Sequence, residues 1–356
     1  MSRYYAHLLQ HLPPEEVVLL TLQVAGRPPV PFPVETVPLE RRGAFSVARY
    51  PRWLWAFRRA LQRYRPSALL LGHLGFAKMP GLPRLPYGLF VHGLDVLHEH
   101  KKARHNPLKR RRLQAAFGRA RVVVANSRAT LNLVRQLGLP VHEGAVVYPG
   151  VDPRVFRPLN LPKAVLRRQF GLPEGAFLVL FVGRPVRRKG LQVLLRALTL
   201  LPEEVHLAAA GPGDFEPYRR QAREQGLAHR TWFLGTVPEE RLVALYNAAD
   251  VFALPGDPEP HDVEGFGIVF LEANACGLPV VGGRWGGVAE AVASGETGLL
   301  VEPGDPEDLA RALEQLYQDA DLRQRLARTG RARVLQAFTW PHQAQRLRAL
   351  YRRILC

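Results

Sequence analysis

Glu264 and Glu272 stand with seven residues between them, in the run Asp262-Val-Glu-Gly-Phe-Gly-Ile-Val-Phe-Leu-Glu272. Gly265 and Gly267 let the backbone run close to a ligand. The apolar stretch Ile268–Ala275 reads as a helix, with Glu272 more than one turn inside it. A carboxylate in that setting is costly unless it is paired or used. Two acids flanking a glycine-rich helix start suit neutral hydroxyl donors, such as sugar and ribose hydroxyls, beside an anion-binding helix end. A structural ion pair is the plain alternative for Glu272. Upstream, Val182-Gly-Arg-Pro-Val-Arg-Arg-Lys-Gly190 follows a strand-like run and opens a helix. Gly183 permits the sharp turn, and Arg184 and Lys189 fall where backbone N–H groups already favour anions. Arginine adds a bidentate fork for phosphate oxygens and lysine a compact charge. The spacing marks a candidate diphosphate site, with surface bases near a turn as the alternative.

The elements that must position these residues alternate between strand-like and helix-like runs. In the first half, Val17–Gln23, Ala68–Gly72, Gly88–His92, Val122–Ala125 and Ala145–Tyr148 read as strands. Tyr4–Leu12, Trp53–Tyr64, Pro107–Gly118 and Ser127–Leu137 read as helices, the last with Ser127 as its N-cap. After a proline-bearing segment the alternation restarts. Strands are expected at Leu178–Val182, Val205–Ala210, Thr231–Leu234, Val251–Leu254, Pro279–Val281 and Gly298–Val301, separated by helices and closed by a helix over Pro341–Ile354. Such βα repetition implies an α/β protein with parallel sheets. The expected division is an N-terminal domain over 1–149, a linker over 150–160, a second Rossmann-like domain over 161–337 and a terminal helix over 338–356.

A length of 356 residues suits two domains. Two cysteines, Cys276 and Cys356, cannot form a disulfide framework, and no His/Cys run has zinc-ligand spacing. No apolar run approaches the roughly 20 residues of a membrane helix, and the N-terminal residues lack a signal-peptide core, so a cytoplasmic location is expected. The net charge of +18 is unevenly spread. Residues 1–150 hold 23 Lys+Arg against 7 Asp+Glu, whereas residues 151–356 hold 26 against 24. Arg49–Arg65 and Lys101–Arg121 carry six and nine bases and no acid. A field this one-sided attracts an anionic partner, and the aromatic-rich first stretch suits an anionic membrane surface. No nucleic-acid motif accompanies the charge, so no nucleic-acid partner is expected.

As a set, several motifs resemble retaining glycosyltransferases of family 4, which have the GT-B fold. They are Gly183-Arg184 with Lys189-Gly190, Glu264 with Glu272, Gly286-Gly287-Val-Ala-Glu290, Gly295-Glu-Thr-Gly-Leu-Leu-Val301, Phe338-Thr-Trp340 and Tyr148-Pro-Gly-Val-Asp152. The likeness is dense in the second half and sparse in the first. Asp262–Glu272 also looks like bacterial members acting on lipid-linked acceptors, including phosphatidylinositol mannosyltransferases. The resemblance implies two Rossmann-like parallel-sheet domains facing a cleft, with a C-terminal helix crossing back to the first. It implies that Arg184 and Lys189 hold the donor pyrophosphate, that Glu272 binds ribose, and that Glu264 with Gly265, Phe266, Gly267 and Ile268 holds the donor sugar. Val91-His-Gly-Leu-Asp95 matches the family's His-Gly loop, which places His92 beside the reacting sugar, with Asp95 as an acceptor-side candidate. Fixed cations aimed at the leaving diphosphate lower the barrier to its departure. The implied reaction is therefore metal-independent transfer with retention, from a UDP- or GDP-sugar to a lipid or glycan hydroxyl, with no other cofactor. Asp319-Ala-Asp321 matches a metal-binding Asp-x-Asp only superficially, lying between surface helices. A catalytically impaired relative, a sugar-nucleotide epimerase and a basic nucleic-acid-binding protein are the alternatives. The chain departs from the family at its start, opening on a helix where members begin with a strand and a glycine-rich loop; an upstream start or a rebuilt first domain would account for this.

Overall fold

The β/α alternation folds into two units, each built on parallel sheet, in a computed structural model that describes residues 2–16, 19–22, 34–37, 50–78, 85–259 and 262–355. The first unit comprises 1–126, 130–149 and 340–356; the second comprises 127–129 and 150–339.

In the first unit, α1 (Ser2–Leu9) precedes β1 (Leu19–Leu22) and β2 (Val34–Val37), which form a parallel pair of their own. Of the expected strand Val17–Gln23, Val17, Val18 and Gln23 lie outside the described residues, as does Arg49 of the first basic stretch. Then come α2 (Tyr50–Tyr64), β3 (Leu69–Leu71), α3 (Leu74–Ala77), β4 (Tyr87–Val91), α4 (Leu94–Arg104), α5 (Pro107–Gly118), β5 (Val122–Ala125), α6 (Arg128–Gln136) and β6 (Gly144–Val146). Strands β3, β4, β5 and β6 pair in that order, all parallel. Every residue of β4 and β5 is buried, as strands covered on both faces require. Asn106 caps α5, accepting from the Lys109 amide, and Pro107 takes the first helical position, where its missing N–H costs nothing.

The second unit runs through α7 (Lys163–Arg168), β7 (Phe177–Val182), α8 (Leu191–Leu198), β8 (Val205–Ala210), α9 (Glu216–Glu224), β9 (Thr231–Gly235), α10 (Glu239–Ala248) and β10 (Val251–Leu254). It continues through α11 (Ile268–Ala275), β11 (Val280–Gly283), α12 (Val288–Ala291), β12 (Gly298–Val301), α13 (Pro306–Gln318) and α14 (Ala320–Ala337). Six parallel strands stand in the order β12-β11-β10-β7-β8-β9. The order reverses between β7 and β10, and open α/β sheets bind ligands at the carboxyl ends of strands flanking such a reversal. The loops after β7 and β10 are the ones that hold Arg184–Lys189 and Asp262–Gly267. Arg167, only 3% exposed, anchors the start of this sheet, bonding Ala248 O, Glu174 O, Ala176 O and the Asp250 carboxylate, which also takes the Leu178 amide.

A final helix, α15 (Trp340–Leu355), belongs to the first unit and packs on α1. Tyr351 donates to Leu69 O, and Gln343 accepts from the Tyr148 amide.

Candidate functional site

After β7, Gly183 opens a loop that passes through a single 3-10 turn, Arg187–Lys189, before Gly190 admits α8. On the neighbouring side of the reversal, the chain after β10 reaches Glu264, and Gly267, at φ 85°, starts α11. These two loops meet through charge. Glu264 is 8% exposed, and its Oε2 accepts from Lys189 Nζ at 2.5 Å and from Arg188 Nη1 at 3.0 Å. Arg188 also stands 3.8 Å from Asp262. Arg187 pairs outward with Asp257 and Glu259. Arg184 is exposed, and its guanidinium makes no hydrogen bond or ion pair among the described residues. The expected donor-side residues Lys189 and Glu264 are therefore in direct contact, and Arg184 lies on the same loop with its guanidinium uncommitted.

Sequence reasoning passed over Arg188. It is the second base of the Arg-Arg-Lys run, and no spacing rule separates it from Arg187; only the fold turns one inward and the other out.

The Gly286-Gly287 pair forms the floor under the Glu264 loop. Gly286 has φ +54°, and a Cβ there would lie 2.3 Å from Glu264 O. A Cβ on Gly287 would lie 2.3 Å from Gly265 O, and the Gly287 amide donates to Glu264 O at 2.9 Å. Phe266 is 2% exposed and its ring sits 6.0 Å from that of Phe338, so this residue offers a ligand its backbone and not its ring. Ile268 is half-buried at the first turn of α11. The two remaining motif segments also meet: the Val151 amide donates to Phe338 O at 2.8 Å, and Val151 bridges to Thr339. Glu290 accepts from the amides of Arg128 and Ala129 at 2.8 and 2.9 Å.

Glu272 projects from α11 to the hydroxyl of Tyr246, which donates to its Oε2 at 2.8 Å. Burial lifts the Glu272 carboxyl from 4.5 to about 7; the Tyr246 hydrogen bond opposes this and the Glu239 charge adds to it. It has no cationic partner among the described residues, so the ion-pair alternative fails and the group stays poised between its two forms near neutrality. Tyr246 is fully buried and was not expected here: it lies 26 residues away on another helix.

In the first unit, His92 directly follows β4 and is half-buried. Its Nε2 lies 2.7 Å from Tyr5 Oη, and Phe90 stacks on the ring at 6.2 Å. Burial pushes the imidazole below its ordinary value, and the Asp95 carboxylate partly opposes that. Asp95 is occupied with the local turn, its Oδ1 taking the amides of His92 and Val96 at 2.9 and 3.0 Å. Its Oδ2 is buried without a hydrogen-bond partner among the described residues. Among the described residues, no group of three His, Cys, Asp or Glu is placed to hold a metal ion.

A two-unit α/β chain with this motif set is of GT-B type. Residues 162–333 match the family model for glycosyl transferases group 1, and residues 1–155 match that for glycosyltransferase family 4. The D-inositol 3-phosphate glycosyltransferase of Corynebacterium efficiens is 36% identical over 299 residues, covering 79% of this chain and 69% of that protein. The GDP-mannose-dependent alpha-(1-6)-phosphatidylinositol monomannoside mannosyltransferase of Mycolicibacterium smegmatis is 38% identical over 208 residues, 57% of this chain and 54% of that protein. Against other relatives the matched span is similarly a little over half of their length, 55% for the Corynebacterium diphtheriae protein. Sucrose-phosphate synthase from Thermosynechococcus elongatus superposes with a TM-score of 0.77 at 25% identity, over 95% of this chain and 89% of that one. The chain belongs to the family 4, group 1 glycosyltransferases.

Proposed function

We propose that the chain transfers a sugar, with retention and without a metal ion, from a UDP- or GDP-sugar to a hydroxyl of a lipid-linked or cell-envelope acceptor. The observation that carries this reading is the convergence of Lys189 and Arg188 on Glu264 at the glycine-rich start of α11, with Arg184 exposed on the same loop. In the proposed reaction the bond between the sugar's anomeric carbon and the diphosphate oxygen breaks. The acceptor oxygen bonds to the same face of that carbon, and the acceptor proton passes to the departing phosphate. Arg184 and Lys189 stabilise the charge that develops on the diphosphate. Glu264, with the backbone of Gly265–Ile268, holds the sugar, and Glu272 the ribose. His92 is assigned to the reacting sugar on the acceptor side, with Asp95 shaping the turn that carries it. Turnover with the chelator EDTA is the test: transfer from a UDP- or GDP-sugar is expected to persist undiminished, and its abolition, restored by added divalent ion, would exclude this mechanism. D-Inositol 3-phosphate and phosphatidylinositol monomannoside are the first acceptors to try, because relatives are named for them.

A second observation favours work at an anionic membrane surface from the cytoplasmic side. Helix α2 exposes Trp55 (64%) beside Arg58, Arg59 and Arg63, with the Arg59 guanidinium 5.4 Å over the indole, while Phe57 is buried. Lys101, Lys102, Arg104 and Lys109–Arg112 are exposed along α4 and α5. No helix among the described residues is long and apolar enough to cross a membrane, and each base near an anionic leaflet contributes about 1 kcal/mol. Co-sedimentation is expected with vesicles containing phosphatidylserine and not with pure phosphatidylcholine; equal binding to both removes this part of the reading.

A further inference from the structure

The phenol of Tyr5, on α1, makes two contacts with one proton. Its oxygen lies 2.9 Å from the carbonyl oxygen of Gly72 and 2.7 Å from Nε2 of His92. The Gly72 carbonyl only accepts, and a phenol has a single hydrogen to give. Both contacts are hydrogen bonds together only when Tyr5 donates to Gly72 and accepts from an N–H at Nε2. Tyr5 stays a phenol: burial first, then the neighbouring charges of Tyr4, Asp95 and Tyr351, push its ionisation well above the ordinary value.

The surroundings hold this arrangement. A Cβ on Gly72 would lie 2.9 Å from Tyr5 Cζ, so the ring rests directly on the backbone it bonds. Tyr4 and Tyr5 present edges to the imidazole at 5.3 and 5.6 Å, and Phe90 stacks on it, which fixes the plane of the ring. The Asp95 Oδ1 is spent on backbone amides, and His92 Nδ1 has no hydrogen-bond partner among the described residues. In a neutral imidazole the hydrogen bond at one nitrogen decides what the other can do.

We infer that Tyr5 is a positioning residue that fixes His92 as the Nε2–H tautomer and leaves Nδ1 as a lone-pair acceptor for a substrate hydroxyl. The tautomer stands on the geometry alone; that the hydroxyl belongs to a sugar rests on the function proposed above. An acceptor nitrogen selects ligands that present an O–H there and rejects those that present a carbonyl or another bare acceptor.

The experiment is long-range proton–nitrogen correlation on the full chain labelled with 15N-histidine at pH 7.5, with His92 assigned by the signals lost in His92→Gln. The wild-type protein is expected to show a pyrrole-like Nε2 and a pyridine-like Nδ1. In Tyr5→Phe the two nitrogens are expected to move towards each other as both tautomers become populated. The turnover number of Tyr5→Phe is expected to fall roughly tenfold with the donor KM little changed, as when an orienting partner is removed. A pyrrole-like Nδ1 in the wild type, or a Tyr5→Phe spectrum identical to it, overturns the inference. Should Tyr5→Phe fail to fold, the wild-type spectrum still decides. The expected spectra without any sugar transfer support the tautomer and count against the transferase reading instead.

Discussion

Lys189→Ala is expected to lower the turnover number for sugar transfer about a hundredfold, the usual cost of removing one fixed donor aimed at developing charge. The argument rests on what Lys189 touches. Its ammonium lies 2.5 Å from Glu264, whose carboxylate also holds Arg188 at 3.0 Å. A diphosphate reaching this loop meets cations already gathered and oriented by a carboxylate, so little reorganisation is left for the moment of reaction. Removing the lysine leaves Glu264 paired with Arg188, so no uncompensated buried charge results and the fold should hold. The melting temperature of Lys189→Ala should therefore stay within a few degrees of wild type while activity collapses. Arg188→Ala should separate the two bases: if Arg188 serves mainly to orient Glu264, its loss raises the donor KM more than it lowers kcat. A Lys189→Ala enzyme within threefold of wild type would remove the lysine from the proposed chemistry.

Glu272 carries the second large effect, and it is read in pH. Burial holds its carboxyl at about 7 in the folded chain against an ordinary 4.5. Between those two values the folded state retains a proton that the unfolded state has lost. Stability therefore falls as pH rises from about 4.5 to 7 and levels off above, by on the order of 3 kcal/mol in all. Glu272→Gln, which keeps an acceptor for the Tyr246 hydroxyl, should lack that slope and be the more stable protein at pH 8. Donor binding should run the other way. Two ribose hydroxyls donate best to the ionised carboxylate, and the phosphates of a nucleotide-diphosphate sugar do not titrate in this range. The Kd for the donor should thus rise about tenfold from pH 8 to pH 6, with proton release measurable by calorimetry in two buffers. A Kd independent of pH in the wild type would dissociate Glu272 from the ribose.

Much of the fold was legible because many of its strands are wholly or mostly buried and so read as apolar runs with little interruption. Val122–Ala125, Val205–Ala210, Val251–Leu254 and Gly298–Val301 have the bounds read from their apolar runs. What escaped was short or lacked contrast. Helix α4, Leu94–Arg104, buries only Val96 and Ala103 among many polar residues, so no stripe announces it. Helix α7 has six residues, and one of its two buried side chains is Arg167, which the chain satisfies with carbonyls and Asp250. The site divides in the same way. Glu264, Lys189 and the glycines sit in contiguous motifs and were visible. Arg188, Tyr246 and Tyr5 act on motif residues from 76, 26 and 87 positions away, respectively. Pairings of that span are set by topology, and a linear pattern does not contain them.

Helix α15 gives the first unit a schedule as well as a shape. Residues 340–355 supply the Tyr351 hydroxyl over β3, the Gln343 side chain at Tyr148 and the surface against α1. On the ribosome these residues emerge only after all of 150–339. The first unit must therefore wait, with α1 uncovered by α15, until residues 340–355 have left the ribosome. A chaperone attending this protein during synthesis would find its client in the earlier half of the chain, the half made first and finished last.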